Sequence, residues 1–301
     1  MAELCLGTVQ LGKKYGINNQ IGRQPTLEES FKILDTAINN NIKAIDTAPG
    51  YGGSELLLGR YFKAARDKTA GFKLISKLRP NAVQNEGKDT YTVIKKEIQG
   101  SMCRLGANKL SAYLLHRAED VYNDKIVDAL RRLKEEGFTD HIGISIYNIE
   151  EGYAALERRY FDYVQMPFSI LDQRAAKSGF LRDAKKAGMT IAARSVFLQG
   201  LLLMKNEDIP ECLQKALPYL KAIDKIISKY GLDRFSSALG FVKQEEEIDY
   251  IVFGVETNAQ MVEYVQTFHS VEIPKECIRE LKDTIDVSDK TILFPQFWNV
   301  S

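Results

Sequence analysis

Four residues with side chains that hold or transfer protons stand close to short apolar runs. Asp46, Lys77 and His116 each end such a run, and Tyr51 lies five residues after Asp46 on a Pro-Gly turn. A lysine ammonium beside a tyrosine stabilises the phenolate, and a carboxylate keeps that lysine charged. A neutral imidazole donates one hydrogen bond to a substrate oxygen. Together the four residue types suit protonation of a developing alkoxide, with Tyr51 as general acid.

Each of the four residues also has a purely structural explanation. Lys77 can be an ordinary strand-end lysine in solvent, and His116 can be a hydrogen-bonded core histidine. Tyr51 can be a packed turn aromatic, and Asp46 before Thr47 can cap the next segment. Their joint occurrence at successive strand ends favours the chemical interpretation.

The elements that must position these residues alternate between strands and helices. Eight β-branched or apolar runs are separated by segments of helical periodicity, which is typical of parallel strands joined by crossover helices. The predicted strands are Leu4 to Thr8, Ala44 to Asp46, Phe72 to Lys77, Ala112 to His116, His141 to Ser145, Tyr163 to Met166, Thr190 to Arg194 and Tyr250 to Gly254. The predicted helices are Thr26 to Asn40, Ser54 to Phe62, Tyr91 to Leu105, Ala118 to Glu136, Ile149 to Arg159, Asp172 to Lys186, Arg234 to Glu245 and Asn258 to Thr267.

Eight parallel strands can close into a (β/α)8 TIM barrel or stay open as a doubly wound sheet. The nucleotide-binding open sheet carries G-x-G-x-x-G after its first strand, and the segment from Gly7 to Gly12 lacks this pattern. We therefore predict a (β/α)8 barrel, with an extra helix at Pro210 to Tyr230 between strands 7 and 8. No Pro-, Gly- or Ser-rich linker interrupts the chain, so one domain over residues 1–301 is expected. Thr26-x-x-Glu29 has the spacing of a capping box and predicts one helix start.

Composition disfavours several other classes of protein. The 301 residues are 45% hydrophobic, and 41 Lys and Arg balance 40 Asp and Glu, so no field attracts nucleic acid or an anionic membrane. No apolar stretch has the length of a membrane span, and the segment from Met1 to Leu11 lacks the pattern of a signal peptide. A cytoplasmic location is therefore expected. The four cysteines are far apart and only three histidines occur, so neither a disulfide framework nor a metal site is expected.

The segment Asp46-Thr-Ala-Pro-Gly-Tyr-Gly-Gly-Ser-Glu55 resembles the signature of the aldo-keto reductase superfamily. Lys77 and His116 fall where that family places its remaining catalytic pair. The resemblance extends over nearly the whole chain. It implies a barrel that binds a nicotinamide cofactor across its mouth and transfers hydride to an aldehyde or ketone. It also implies that Tyr51 donates the proton, tuned by Lys77 and Asp46, and that His116 orients the carbonyl.

The resemblance further implies a set of cofactor contacts. Ser145 and Gln165 match positions that contact the nicotinamide carboxamide, and Arg194 stands where many members place an aromatic that stacks on the ring. Backbone amides from Ser195 to Gly200 would approach the pyrophosphate. The full implied set is Thr8, Ser145, Gln165, Arg194, Ser195, Gly200, Gly254, Glu256, Thr257 and Gln260.

Two residues after the eighth strand bear on the choice of coenzyme. Members that bind the 2′-phosphate tightly usually place Lys or Arg there, whereas this chain has Glu256, which can accept hydrogen bonds from the ribose hydroxyls of NADH. Tyr264 stands in place of an asparagine and can stack on the adenine. The resemblance favours NADPH, and these residues admit NADH.

Two other functions stay open, as do the substrate and the oligomeric state. Lys77 can form a Schiff base in a lyase, although that requires a lysine of low pKa and the nearby Asp46 works against it. Alternatively, the chain binds the cofactor as a redox-sensing or regulatory subunit with slow catalysis. A sugar-derived carbonyl compound is one candidate substrate, and no loop carries a dense cluster of basic residues that would demand a phosphorylated one. The aromatic tail from Phe294 to Trp298 can reach the substrate pocket or pack beneath the barrel.

Overall fold

Eight parallel strands close into a barrel in the computed structural model, which describes residues 2–65, 71–83 and 89–298. The strands pair in chain order, and the eighth pairs with the first. Every predicted strand is confirmed, with ends shifted by no more than two residues. The strands are β1 Glu3–Gly7, β2 Ala44–Asp46, β3 Lys73–Leu78, β4 Leu110–Leu115, β5 Thr139–Ser145, β6 Tyr163–Pro167, β7 Thr190–Arg194 and β8 Tyr250–Phe253.

Helices connect the strands and form the outer layer of the barrel. In the described residues they are α1 Val9–Gly12, α2 Leu27–Asn39, α3 Ser54–Ala64, α4 Thr90–Leu105, α5 Asp124–Glu135, α6 Ile149–Arg158, α7 Arg174–Lys177, α8 Phe180–Lys186, α9 Leu217–Ser228, α10 Arg234–Lys243, α11 Asn258–Ser270, α12 Lys275–Thr284 and α13 Lys290–Leu293. Short 3-10 turns occur at Ala118–Tyr122, Leu198–Leu203, Asn206–Asp208, Glu211–Ala216 and Pro295–Phe297. No helix in these ranges has the length and apolar composition that a membrane span requires.

Two helices predicted as continuous are divided in the structure. The segment predicted as one helix from Ala118 to Glu136 forms a 3-10 turn followed by α5. The two are separated at Asn123, whose backbone is extended and whose side chain accepts the N–H of Lys125. The prediction from Asp172 to Lys186 divides at Gly179, whose φ of 82° no helix interior adopts.

The extra helix between β7 and β8 is confirmed, but its first part differs from the prediction. The segment Glu211–Ala216 forms a 3-10 turn, and α9 begins at Leu217 with Pro218 in its first turn. Proline fits the first turn of a helix because the amide hydrogen that it lacks has no partner there. Helices α1, α12 and α13 were not predicted.

The barrel interior below the mouth is packed with mostly small or branched apolar side chains. A separate cluster of buried residues fills it, namely Cys5, Ala44, Ile75, Ala112, Leu114, Tyr163 and Ala192. A filled interior is typical of this fold, whose chemistry occurs at the carboxyl ends of the strands. Polar side chains at those ends therefore define the candidate site.

Candidate active site

The pairing of the strands brings the predicted residues to one mouth of the barrel. Gly7 on β1 pairs with Asp46 on β2, and Ser145 on β5 pairs with Gln165 on β6. Because all eight strands are parallel, their carboxyl ends surround a single opening. The residues predicted from separate parts of the sequence therefore belong to one site.

The two strand ends that carry Lys77 and His116 differ slightly from the predictions. Lys77 and His116 were expected to end β3 and β4, but Leu78 pairs with Leu115 and extends the ladder past Lys77. His116 follows the last paired residue of β4. Lys77 is consequently held rigidly within a strand, whereas His116 stands at the start of a loop.

A buried ion pair lies at the centre of the mouth. Nζ of Lys77 donates to both carboxylate oxygens of Asp46, at 2.7 and 2.6 Å, and to the Thr47 carbonyl at 3.1 Å. Nε2 of Gln165 donates to the same carboxylate at 2.9 Å. Burial is the largest single influence on the pKa of Lys77 and lowers it, but the charges and hydrogen bonds of Asp46 and Tyr51 together outweigh burial, so the pKa lies above the ordinary value. Lys77 is therefore a cation whose charge Asp46 balances.

Tyr51 lies beside this ion pair. Nζ of Lys77 is 4.9 Å from the centroid of the Tyr51 ring. Burial raises the pKa of the Tyr51 hydroxyl, and Lys77 acts in the opposite direction by stabilising the phenolate. Lys77 thus lowers the pKa of Tyr51 as predicted, but burial raises this pKa by more. Tyr51 therefore carries its proton at neutral pH.

Two glycines allow the turn that carries Tyr51 to contact the segment after β1. A Cβ on Gly12 would lie 1.7 Å from the carbonyl oxygen of Tyr51, and one on Gly52 would lie 2.3 Å from the carbonyl oxygen of Gly12. Gly52 also has a φ of 60°, and the N–H of Gly53 donates to Gly12 at 3.3 Å. This close backbone contact fixes the position of Tyr51.

His116 is a neutral imidazole next to Tyr51. The two rings are perpendicular, with centroids 5.8 Å apart. Burial, reinforced by the positive charges of Lys77, Arg194 and Lys13, lowers the pKa of His116 to about 3. Its Nδ1 is buried and has no hydrogen-bond partner among the described residues. A neutral imidazole offers one donor and one acceptor, so His116 can hydrogen-bond a substrate oxygen.

A cleft of about 770 Å³ extends from Asp46, Tyr51 and His116 across the ends of β7, β8 and β1, and Lys77 lies buried behind its wall. The predicted cofactor residues that line it are Thr8, Ser145, Gln165, Arg194, Ser195, Gly200, Gly254, Glu256 and Gln260. Thr257 does not line it. Its hydroxyl accepts the N–H of Gln260 at 3.2 Å and caps α11.

Several of the lining side chains already have protein partners. The hydroxyl of Thr8 donates to the Asp46 carbonyl at 2.9 Å and accepts from Ser54 at 2.6 Å. The side-chain oxygen of Gln260 accepts the N–H of Glu256 at 2.8 Å. The side chain of Gln10 lies against Gly254. A Cβ on Gly254 would be 2.1 Å from the side-chain oxygen of Gln10.

Arg194 lines the same cleft as Tyr51 and His116. Its guanidinium carbon is 4.1 Å from the centroid of the Tyr147 ring. Nη2 donates to the Ile146 carbonyl at 2.9 Å, and Nη1 donates to the Ser195 hydroxyl at 3.3 Å. One face of the guanidinium is thus covered by an aromatic ring of the protein.

The segment after β1 crosses the cleft and contacts the segments after β7 and β8. The N–H of Ile17 donates to the Gln199 carbonyl at 3.2 Å, and Nε2 of Gln199 donates to the Tyr15 hydroxyl at 2.9 Å. The N–H of Gln20 donates to the Glu256 carboxylate at 3.0 Å. Burial raises the pKa of Glu256, whereas hydrogen bonds from the backbone N–H groups of Gln20 and Ile21 lower it. Glu256 therefore binds a neighbouring segment, a contact that the sequence did not indicate.

The lining residues that were missed include Gln10, Tyr15 and Tyr147. Their positions shortly after β1 or β5 were the available signal, since such segments line the mouth of a barrel. Tyr264 lines the cleft as well, but its ring stacks on Phe253 with centroids 4.0 Å apart. One of its faces is therefore occupied by the protein.

The aromatic tail packs beside the cleft. Phe294 contacts Tyr147 with ring centroids 5.4 Å apart, and the indole N–H of Trp298 donates to the Ile292 carbonyl at 3.2 Å. Neither Phe294 nor Trp298 lines the cleft. The tail therefore supports Tyr147, and through it Arg194.

Comparisons with known proteins agree with this architecture. A family model described as the aldo/keto reductase family matches residues 3–286. The chain is 24% identical to the uncharacterized oxidoreductase YrpG of Bacillus subtilis, over 94% of this chain and 92% of that protein. It is 25% identical to a D-threo-aldose 1-dehydrogenase of a Pseudomonas species, over 85% and 88%. The solved holo form of aldo-keto reductase AKR11C1 from Bacillus halodurans is similar with a TM-score of 0.73, 20% identity and coverage of 96% and 95%.

Proposed function

Because the chain belongs to the aldo-keto reductase family, we propose that it transfers hydride between NAD(P)H and the carbonyl carbon of a small aldehyde or ketone, with Tyr51 as general acid. Members of this family are NAD(P)H-dependent oxidoreductases. The observation that carries the proposal is a protonated Tyr51 beside the buried pair of Lys77 and Asp46, at one end of a large cleft.

The lining of the cleft fits a nicotinamide cofactor. The side-chain oxygen of Gln10 is buried without a partner among the described residues, and Ser145 and Gln165 place further polar groups on the same wall. The segment from Ser195 to Gly200 has four residues of positive φ. Such backbone curves the segment, and although the amides of Leu198 and Gly200 donate within it, the remaining N–H groups of the curve suit a pyrophosphate. We assign the nicotinamide to the end near Tyr51 and the pyrophosphate to this segment.

The residues at the catalytic end then have distinct roles. The bound cofactor supplies the hydride. The neutral imidazole of His116 hydrogen-bonds the carbonyl oxygen and orients it. Tyr51 donates its proton to the alkoxide as the hydride arrives, and Lys77 stabilises the phenolate that remains. Asp46 keeps Lys77 charged and in place.

Arg194 and Ser145 would contact the nicotinamide in this arrangement. The Arg194 guanidinium lies 4.1 Å from the centroid of the Tyr147 ring, and it would contact the nicotinamide ring when the cofactor is bound. The hydroxyl of Ser145, at the end of β5, would hydrogen-bond the carboxamide.

We propose that the protein accepts NADPH and NADH. The preference of the family supports NADPH. Support for NADH comes from three carboxylates that line the cleft, Asp233, Glu256 and Glu263, since a 2′-phosphate would meet negative charge there. Arg234 also lines the cleft, but Asp224 binds its guanidinium at 2.5 Å.

A sugar-derived carbonyl compound is the substrate class that the similarity to an aldose dehydrogenase supports. The Schiff-base alternative is disfavoured, because the pKa of Lys77 lies above its ordinary value and an amine nucleophile must lose its proton. A regulatory subunit with slow catalysis would bind the cofactor but consume it only slowly in the presence of carbonyl compounds.

Titration of the protein with NADPH and NADH, followed by tryptophan and tyrosine fluorescence, tests the proposal. A panel of aliphatic, aromatic and sugar aldehydes is then added while the absorbance of the reduced nicotinamide is followed. We expect binding and consumption of the reduced cofactor. Binding without consumption across the panel favours the regulatory subunit, and absence of binding contradicts the proposal.

A further inference from the structure

The charges at the catalytic end of the cleft do not balance. The charge of Lys77 is compensated by Asp46, at 2.6 Å. Arg194 and Lys13 also line the cleft, and in the part of the chain that the structure describes neither pairs with a carboxylate. Lys13 donates only to the Gly50 carbonyl, at 3.3 Å. An excess of positive charge therefore lies where a substrate must bind.

The guanidinium of Arg194 has donors to spare. A guanidinium carries five N–H groups, and the hydrogen bonds to Ile146 and Ser195 use two of them. The guanidinium carbon is 4.1 Å from the centroid of the Tyr147 ring, and the Tyr147 side chain is a further hydrogen-bond partner of Arg194, which leaves two N–H groups unused. A partly buried cation with unused N–H groups is stabilised by an anion that can accept several hydrogen bonds. The chain supplies no such anion among the described residues.

Arg194 and the proton donor share one compartment. The positive charge of Arg194 acts on the hydroxyl of Tyr51 and on the imidazole of His116. A carbonyl oxygen that contacts Tyr51 and His116 is thus within reach of the same field. Tyr51, His116 and Arg194 all line the same cleft, so a substrate held by Tyr51 and His116 shares this space with the guanidinium.

We propose that the physiological substrate carries a carboxylate close to its carbonyl group and that Arg194 binds this carboxylate. The inference rests on the proposed reductase function and names its substrate class. A planar guanidinium edge matches a carboxylate in a two-bond arrangement, which an ammonium does not provide. Lys13, exposed at the mouth, adds attraction on entry. Because the substrate carboxylate would bind the edge of the guanidinium, a face of the guanidinium stays available to the nicotinamide ring.

Matched pairs of ligands that differ in charge test the proposal. Succinic semialdehyde is compared with its methyl ester, and D-glucuronate with D-glucuronamide, by calorimetric binding to the cofactor-saturated protein and by kcat/KM. We expect the charged member of a pair to bind about 10-fold tighter or more, as for a charge-assisted hydrogen bond lost from a partly buried site. Arg194→Gln should reduce this ratio to near 1, and Arg194→Lys should restore part of it.

Lys14→Gln is the matched control. It also removes one positive charge, but from an exposed residue next to Lys13 that does not line the cleft. Its ratio should equal that of the wild type. Thermal unfolding checks that each variant is folded. Equal binding of charged and neutral members by the wild type, or an unchanged ratio in Arg194→Gln, overturns the proposal.

Two further outcomes separate the possible failures. If glyceraldehyde 3-phosphate is preferred over glyceraldehyde while neither carboxylate pair shows a preference, the anion is a phosphate and the carboxylate assignment is wrong. If the carboxylates bind through Arg194 but no carbonyl compound is reduced, the anion site stands and the reductase function fails.

Discussion

Nζ of Lys77 donates hydrogen bonds to both carboxylate oxygens of Asp46, and the two side chains are only 1% and 4% exposed. Removing two charges from water is costly, and their mutual attraction repays the cost only when both are present. The pair therefore acts as one unit. It holds a cation beside Tyr51 without adding net charge to the barrel interior.

The first prediction concerns the stability of this unit. Lys77→Met leaves the Asp46 carboxylate buried without its cation, and we expect the free energy of unfolding to fall by about 3–5 kcal/mol. The double variant Asp46→Leu with Lys77→Met should recover much of the loss, because no charge is then buried. Urea unfolding measures both. A loss below about 1 kcal/mol in the single variant would show that the pair is not buried as described.

The second prediction concerns His116 and acid. Its pKa is about 3 in the folded protein and about 6.5 in an unfolded chain, so the unfolded state binds the extra proton as the pH falls. The neutral form thus contributes stability above pH 6.5, and this contribution is lost on acidification. Between pH 7 and pH 5 the wild type should lose about 2 kcal/mol more than His116→Gln. Identical pH dependence of unfolding in the two proteins would contradict the burial of a neutral imidazole.

The third prediction concerns the turn that carries Tyr51. Gly12→Ala would place a methyl group against the Tyr51 carbonyl and displace the proposed general acid. A small displacement of a catalytic group has a large effect on rate, so kcat/KM should fall by about 10-fold or more. Gly53→Ala is the control, because a Cβ there meets open space. Similar kcat/KM values for the two alanine variants would remove the proposed role of the Gly12 contact.

The fourth prediction concerns the segment that crosses the cleft. Glu256→Ala removes the acceptor of the Gln20 N–H, so that amide should exchange its hydrogen faster, by about 10-fold for a loss near 1.4 kcal/mol. Glu256→Gln keeps an acceptor and should change the exchange less. Amide hydrogen exchange of residues 15–21 provides the measurement. Unaltered exchange in Glu256→Ala would mean that this hydrogen bond does not hold the segment.

The sequence was sufficient for the features that depend on local patterns. The alternation of strands and helices predicted the barrel, and the capping box of Thr26 and Glu29 is present, with Thr26 accepting at 3.2 Å and donating its N–H to Glu29 at 2.7 Å. The four proposed catalytic residues were singled out because each lies at or shortly after the carboxyl end of a strand, and parallel strands share one mouth. The breaks at Asn123 and Gly179 were missed, since helical periodicity continues across both.

The features that the sequence did not indicate depend on contacts between distant segments. Gln20 and Glu256 are 236 residues apart, and no local pattern pairs them. The excess charge of Arg194 becomes visible only when all its neighbours are known. The direction of the Tyr51 pKa also needed the structure, because burial and the charge of Lys77 act against each other.

Replacement of Tyr51 by phenylalanine tests the central claim most directly. The variant lacks only the hydroxyl, so the affinity for NADPH or NADH, measured by fluorescence titration, should stay within about threefold of the wild type. Turnover of the best aldehyde should fall by about 10²–10⁴, the usual contribution of a positioned general acid. Wild-type turnover in Tyr51→Phe would contradict the assignment of Tyr51 as the proton donor.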